Sequence, residues 1–174
     1  MLAVFITAAL CIGADQLTKY LASSALHPAG SIDVIKGVFR FTYVENRGAA
    51  FGSLSNHRAV FLILSSVLIL ALIAFTIIKR PKGILLQLSL GMIIGGGIGN
   101  MIDRISLGYV VDFLDFCAFP KLWRWVFNGA DVFVCVGTAM LMIYILLSDR
   151  KGATSGALEN SGDMKGGTDD DQAE

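Results

Sequence analysis

Hydrophobic and polar positions in this chain fall into long blocks. Residues 59–78 and 83–102 are two runs of 20 without a single charge, and 132–148 is a third charge-free run, closed by Asp149, Arg150 and Lys151. Met1 to Leu26 is also apolar but for Asp15, Gln16, Lys19 and a few hydroxyl residues. At a rise of 1.5 Å per residue, about 20 helical residues cross a hydrocarbon core about 30 Å thick. The pattern therefore predicts four transmembrane helices, over about 1–26, 59–78, 83–103 and 129–148. A cleaved leader would carry a basic segment before its apolar core. The first block has none and runs straight into Asp15-Gln16, so a retained helix is expected.

Only the stretch between the first two runs alternates. Within residues 32–57, Val38-Phe-Arg-Phe-Thr-Tyr-Val44 is β-branched or aromatic at nearly every position, and Gly37 and Gly48 supply turns. It predicts a small β-sheet or hairpin, too short to bury a core of its own, resting on the membrane surface and the helix ends. The expected fold is thus an all-α membrane protein with a small extracytoplasmic β region between its first two helices.

Composition agrees with the blocks. Hydrophobic residues make up 55% of the chain and charged ones 16%, and the mean hydropathy is +0.67, against roughly a quarter charged residues in soluble domains. The formal charge of zero hides a split: the segment from Gly152 holds six acids and Lys165, while the rest holds 13 bases and 8 acids. No basic stripe results, which argues against nucleic-acid binding. Residues 152–174 are rich in Gly, Ser and acid and are expected to form a disordered tail. Lys79, Arg80 and Lys82 share one side of a four-helix count with Arg150 and Lys151. The positive-inside rule then places both termini in the cytoplasm and residues 27–58 and 104–126 outside, with Trp123 and Trp125 at an outer aromatic belt. The cysteines, Cys11, Cys117 and Cys135, are too scattered for a disulfide framework or a metal site.

Four of the eight acids before the tail, Asp103, Asp112, Asp115 and Asp131, lie between the third and fourth apolar runs. Charge near a bilayer costs about 2.5–3.5 kcal/mol per residue on insertion scales and is usually kept for function. Asp103 beside Arg104 reads as a paired structural acid. Asp112 is flanked by Val110, Val111, Phe113 and Leu114, surroundings that would favour its protonated form. Asp131 opens the fourth helix, where free N–H groups favour a carboxylate. Two carboxylates in unlike surroundings can activate a water and protonate a leaving amine. Asp15 and Lys19, spaced i,i+4, can pair on one helix face. Neither His27 nor His57 adjoins a nucleophile motif, and neither a metal nor another cofactor is expected. A transporter or proton relay would also use intramembrane acids, but internal repeats, which such folds often carry, are not found here. A non-enzymatic scaffold would leave the acid cluster unexplained.

Five short motifs carry a resemblance: Asp15-Gln-Leu-Thr-Lys19, Asn46-Arg-Gly-Ala-Ala-Phe51, Gly96-Gly-Ile-Gly-Asn-Met-Ile-Asp-Arg104, Gly108-Tyr-Val-Val-Asp-Phe113 and Phe127-Asn-Gly-Ala-Asp131. In this order the chain resembles the bacterial lipoprotein signal peptidases (signal peptidase II) from Met1 to about Ser148. The resemblance implies an aspartic endopeptidase of the inner membrane, active at its extracytoplasmic face. Its substrates would be diacylglyceryl-modified prolipoproteins, cleaved just before the lipidated cysteine. It implies Asp112 and Asp131 as the catalytic pair, with Asp15, Lys19, Asn46, Gly48, Asn100, Asp103, Arg104 and Asn128 binding substrate or supporting the site. It also implies contact with membrane lipids and sensitivity to globomycin-type cyclic peptides, in a protein acting as a monomer.

Overall fold

The computed structural model describes residues 1–47, 58–118 and 125–163. The first helix, α1, spans Leu2–Ala29. A hairpin of β1 (Ser31–Ile35) and β2 (Phe39–Asn46) leads on to α2 (Arg58–Lys79) and α3 (Ile84–Ser106). β3 (Val110–Phe116) and β4 (Val126–Phe127) then precede α4 (Gly129–Asp163). All four helices are long and apolar enough to cross a membrane. They match the sequence expectation, although α4 continues helical past the expected end at Ser148, through residues read as the start of a disordered tail. No proline interrupts it there, and extending a nucleated helix needs only one further hydrogen bond per residue. Residues 164–174 lie outside the described part of the chain.

The central helix is α3: 44% of its membrane-length window is buried inside the protein, against 11% for α2 and for α4. Close approach by its neighbours depends on glycine. A Cβ on Gly95 would stand 2.7 Å from the Ala8 carbonyl oxygen of α1, one on Gly99 would stand 2.5 Å from Asp15 Oδ2, and one on Gly96 would collide with the Ala130 carbonyl of α4. On α1 the buried positions form one stripe, Val4, Ala8, Cys11, Asp15, Lys19, Ala22 and Leu26, at spacings of three and four. Its apolar half packs with Leu86, Leu90 and Ile94 of α3 and Ile69 of α2. The opposite face of α1 exposes Leu2, Ile6, Leu10, Leu17 and Leu21. Water would penalise such a surface, whereas lipid tails solvate it. Buried hydroxyls are satisfied within their own helices: Thr76 donates to the Leu72 carbonyl and Ser89 to that of Leu86.

The four strands form one antiparallel sheet in the order β1-β2-β3-β4. The sequence placed β structure only between the first two helices, and that hairpin is present. Half of the strands, however, come from the segment after α3. Val110-Val-Asp-Phe-Leu-Asp-Phe116 shows no polar–apolar alternation because it is covered on both faces, so it reads as an undifferentiated run. Gly37 (φ +74°) makes the β1–β2 turn, and Gly108 (φ +88°) ends α3, its N–H donating to the Asp103 carbonyl, and starts the chain toward β3. Phe113 of β3 then packs with Ala22 and Leu26, fastening the sheet to the end of α1.

Gly95→Ala should lower thermal stability in detergent by about 1–3 kcal/mol, because the new methyl meets backbone that cannot yield. Gly13→Ala, with nothing within 4 Å of its Cβ, should be neutral or stabilise by up to about 1 kcal/mol. Thermal unfolding of both variants reads the difference.

Candidate active site

The polar end of the bundle is built from one residue type after another that apolar packing alone would reject. Asp15, Lys19, Asp103, Asp112 and Asn128 are all at most 4% exposed. Among the described residues, no buried side-chain nitrogen or oxygen lacks a hydrogen-bond partner.

Lys19 is the hub. Its ammonium has three protons and three acceptors: Asp15 Oδ2 at 2.8 Å, Asp103 Oδ2 at 3.0 Å and Asn100 Oδ1 at 3.0 Å. The expected i,i+4 pairing with Asp15 is present. The expected pairing of Asp103 with its neighbour Arg104 is not, because consecutive helix residues point in different directions. Asp103 turns inward to Lys19, while Arg104 is half-buried and donates through Nη1 to the Asn100 carbonyl. Each acceptor of Lys19 also holds a piece of what surrounds it. Asp15 Oδ1 accepts the Ala130 N–H at 2.8 Å, Asp103 Oδ2 accepts the Val111 N–H at 3.1 Å, and Asn100 Nδ2 donates to Asp131 Oδ1 at 2.8 Å.

Asp131 is the third residue of α4, and Asn128 caps that helix. The Asp131 N–H donates to Asn128 Oδ1 (3.0 Å) and the Asn128 N–H to Asp131 Oδ2 (3.2 Å), the reciprocal arrangement of a capping box. Asn128 Nδ2 donates to Asp112 Oδ1 at 2.6 Å and to Asn100 Oδ1 at 3.1 Å. One residue thus touches both carboxylates, Asp112 through its side-chain amide and Asp131 through its backbone N–H. Asp112 sits in β3, opposite Val44, and its second oxygen accepts Asn46 Nδ2 from the end of β2 at 2.8 Å. Burial pushes the Asp112 carboxyl up to about 6. The Asn46 hydrogen bond opposes that rise, the Asp131 charge adds to it, and Asn128 and Lys19 oppose it more weakly.

Of the residues singled out in the sequence, Asp15, Lys19, Asn46, Asn100, Asp103, Asp112, Asn128 and Asp131 join one hydrogen-bonded network, with Arg104 at its edge. Gly48 lies outside the described residues, as does Trp123; Trp125 is exposed. Asp115 does not join: it is held by Arg40 Nε at 2.6 Å and by the Thr42 hydroxyl at 3.2 Å, across the β2–β3 pair. Gln16 was missed. Its Nε2 donates to Asp103 Oδ1 at 3.0 Å, and an uncharged amide in the middle of an apolar helix was the available signal. Arg104, Asn100 and Asp131 also line a cavity of about 290 Å³ whose other walls are mostly apolar, among them Leu68, Ile69 and Val134.

The profile of the family described as Signal peptidase (SPase) II matches residues 7–147. The chain belongs to the signal peptidase II family. Membership makes it a multi-pass bacterial membrane protease. A lipoprotein signal peptidase of Caldanaerobacter subterraneus is 51% identical over 133 residues, covering 76% of this chain and 88% of that one. One of Clostridioides difficile is 45% identical over 144 residues, covering 82% and 93%. Among solved structures, a bacterial membrane enzyme determined by the in meso method at 1.9 Å resolution superposes with a TM-score of 0.73 at 31% identity, covering 82% of this chain and 92% of that one. The fold of this chain is therefore shared with a solved bacterial membrane enzyme.

The raised Asp112 pKa has a thermodynamic signature. The folded state binds this proton more tightly than the unfolded chain does, so the contribution of Asp112 to stability falls as pH rises from about 4 to about 6 and is flat above. At 1.36 kcal/mol per unit the fall is at most about 3 kcal/mol. Asp112→Asn should lack this segment in a stability–pH curve referenced to wild type. Parallel curves for the two proteins between pH 4 and 6 would rule out the assignment.

Proposed function

We propose that this signal peptidase II removes the signal peptides of diacylglyceryl-modified prolipoproteins by an aspartic mechanism, cleaving just before the lipidated cysteine with Asp112 and Asp131 acting on one water. The observation that carries this reading is the shared environment of the two carboxylates. They are linked through Asn128, and the buried Asp112 titrates near 6 whereas Asp131 sits at the N–H-rich start of α4. A pair that holds one proton between them can take a proton from water as it attacks the scissile carbonyl. The other member gives its proton to the departing amine. Asn46, Asn100 and Asn128 fix the four carboxylate oxygens without adding charge. The relatives named lipoprotein signal peptidase support the substrate class. So does the apolar-walled cavity that ends at Asp131 and Arg104, which suits acyl chains or a globomycin-type peptide beside a polar centre. The site lies at the extracytoplasmic face of the inner membrane with both termini in the cytoplasm, a reading supported by the basic α2–α3 connection.

Asp112→Asn and Asp131→Asn should each reduce cleavage of a lipidated prolipoprotein by at least about 10²–10⁴-fold while the protein still inserts and unfolds cooperatively. Asp115→Asn, whose carboxylate serves Arg40 and Thr42, should lose far less. Either dyad variant within a few-fold of wild type would exclude the aspartic mechanism. For the orientation, Ser31→Cys and Lys82→Cys are made in a Cys117→Ser background and treated in intact cells with an impermeant thiol reagent. Labelling at 31 and protection at 82 is the expected pattern, and the reverse pattern means the protein is inverted.

A further inference from the structure

Asn100 and Asn128 offer two nearly isosteric amides to the carboxylates, and in each the orientation of the amide decides whether an N–H or an oxygen faces the acid. At Asn128 a backbone donor settles it: the Asp131 N–H must find an oxygen, so Nδ2 faces Asp112 and Asn100. At Asn100 the settling donor is Lys19. An ammonium only donates, so the Asn100 atom 3.0 Å from Nζ is oxygen, and Nδ2 is turned to Asp131 Oδ1. Asn128 Nδ2 supports the same orientation, but as a neutral donor already engaged with Asp112. Charge-assisted hydrogen bonds are roughly twice as strong as neutral ones.

We propose that Lys19 is a positioning residue for the reaction, acting on Asp131 through the Asn100 amide: ammonium, amide and carboxylate form a bridge that presents a permanent N–H to Asp131. This rests on the reading of Asp131 as one of the two reacting carboxylates. Lys19 lies on the inner stripe of α1 and touches neither Asp112 nor Asp131, so its effect must pass through an intermediary. Without the ammonium, Asn100 can turn its oxygen toward a protonated Asp131 and hold that proton in place, which withdraws the carboxylate from its exchange with water. The other charged groups around the bridge are Asp15 on α1, Asp103 and Arg104 on α3, Asp112 on β3 and Asp131 on α4, while β2 contributes the neutral Asn46. Lys19 is the one cation among them that bonds two of the acids, Asp15 and Asp103.

A double-mutant comparison separates this role from a purely structural one. In the wild-type background Lys19→Met should lower kcat for a diacylglyceryl-modified prolipoprotein about 10–100-fold with KM little changed. The acid limb of kcat/KM should move to higher pH. In an Asn100→Ala background, where the bridge is already cut, Lys19→Met should change kcat by less than about 3-fold. Its cost in thermal stability, which comes from Asp15 and Asp103, should persist in both backgrounds. Equal losses of kcat in the two backgrounds would overturn the proposal. If Lys19→Met does not fold, because Asp15 and Asp103 are left buried without a counter-charge, the comparison is made with Asp15→Asn present throughout. That change removes one orphaned charge and keeps the oxygen that accepts the Ala130 N–H. The dyad variants keep the two hypotheses apart: an active Asp131→Asn refutes the aspartic reading itself, whereas inactive dyad variants with equal Lys19 losses refute only the bridge.

Discussion

Everything at the polar end of this molecule depends on one buried ammonium. Placing Lys19, Asp15 and Asp103 in the interior strips three charges of water, a cost of several kcal/mol per ion that mutual attraction offsets only if every donor and acceptor is used. Here every ammonium proton is used, the two remaining carboxylate oxygens accept Ala130 N–H and Gln16 Nε2, and Val111 N–H shares Asp103 Oδ2 with the ammonium. Such a cluster adds little net stability beyond what well-packed apolar residues would give. What it does is fix geometry. Its acceptors reach the first turn of α4 and the first residues of β3, the two segments that carry Asp131 and Asp112. Removing one member would strand the others, typically at 3–5 kcal/mol.

The sheet does the complementary work. Asp112 lies in a strand that is paired along one edge with β2 and packed against the end of α1, so its carboxyl is dry and its position is held from β2. Asp131 lies at a helix start, where N–H groups converge. The unlike environments of the two carboxylates therefore come from the unlike ends of secondary structure that present them. Gly108, in a backbone conformation that side chains resist, makes the change from α3 to β3 possible between Ser106 and Val110.

Much of this was legible in the sequence. Block hydrophobicity located the four helices to within a few residues of their membrane-length parts, and the rarity of charge in such a chain marked the acids and Lys19, whereas Asn46, Asn100 and Asn128 came only with the motifs of the resemblance. What stayed hidden was pairing. Nothing in Asp103-Arg104 says that the acid turns away from its neighbour toward a lysine 84 positions earlier in the chain. Nor does a strand buried on both faces announce itself by alternation, so β3 carries no strand signal in the sequence. The role of Asn128 as cap and bridge at once was likewise invisible, since it depends on where Asp112 arrives in space.

The division of the network between α1 and α3 bears on how the protein is made. Asp15, Gln16 and Lys19 enter the membrane with the first helix, yet their partners at Asn100 and Asp103 are synthesised only after α2 and its basic connection. Until then the i,i+4 pairing within α1 satisfies its acid, amide and ammonium only in part. This helix is the least hydropathic of the four spans, at 1.4. The polar groups of α1 are therefore completed only when the glycine face of α3 lies beside it. In synthesis that completion waits for the roughly 80 residues that separate Lys19 from Asn100 and Asp103.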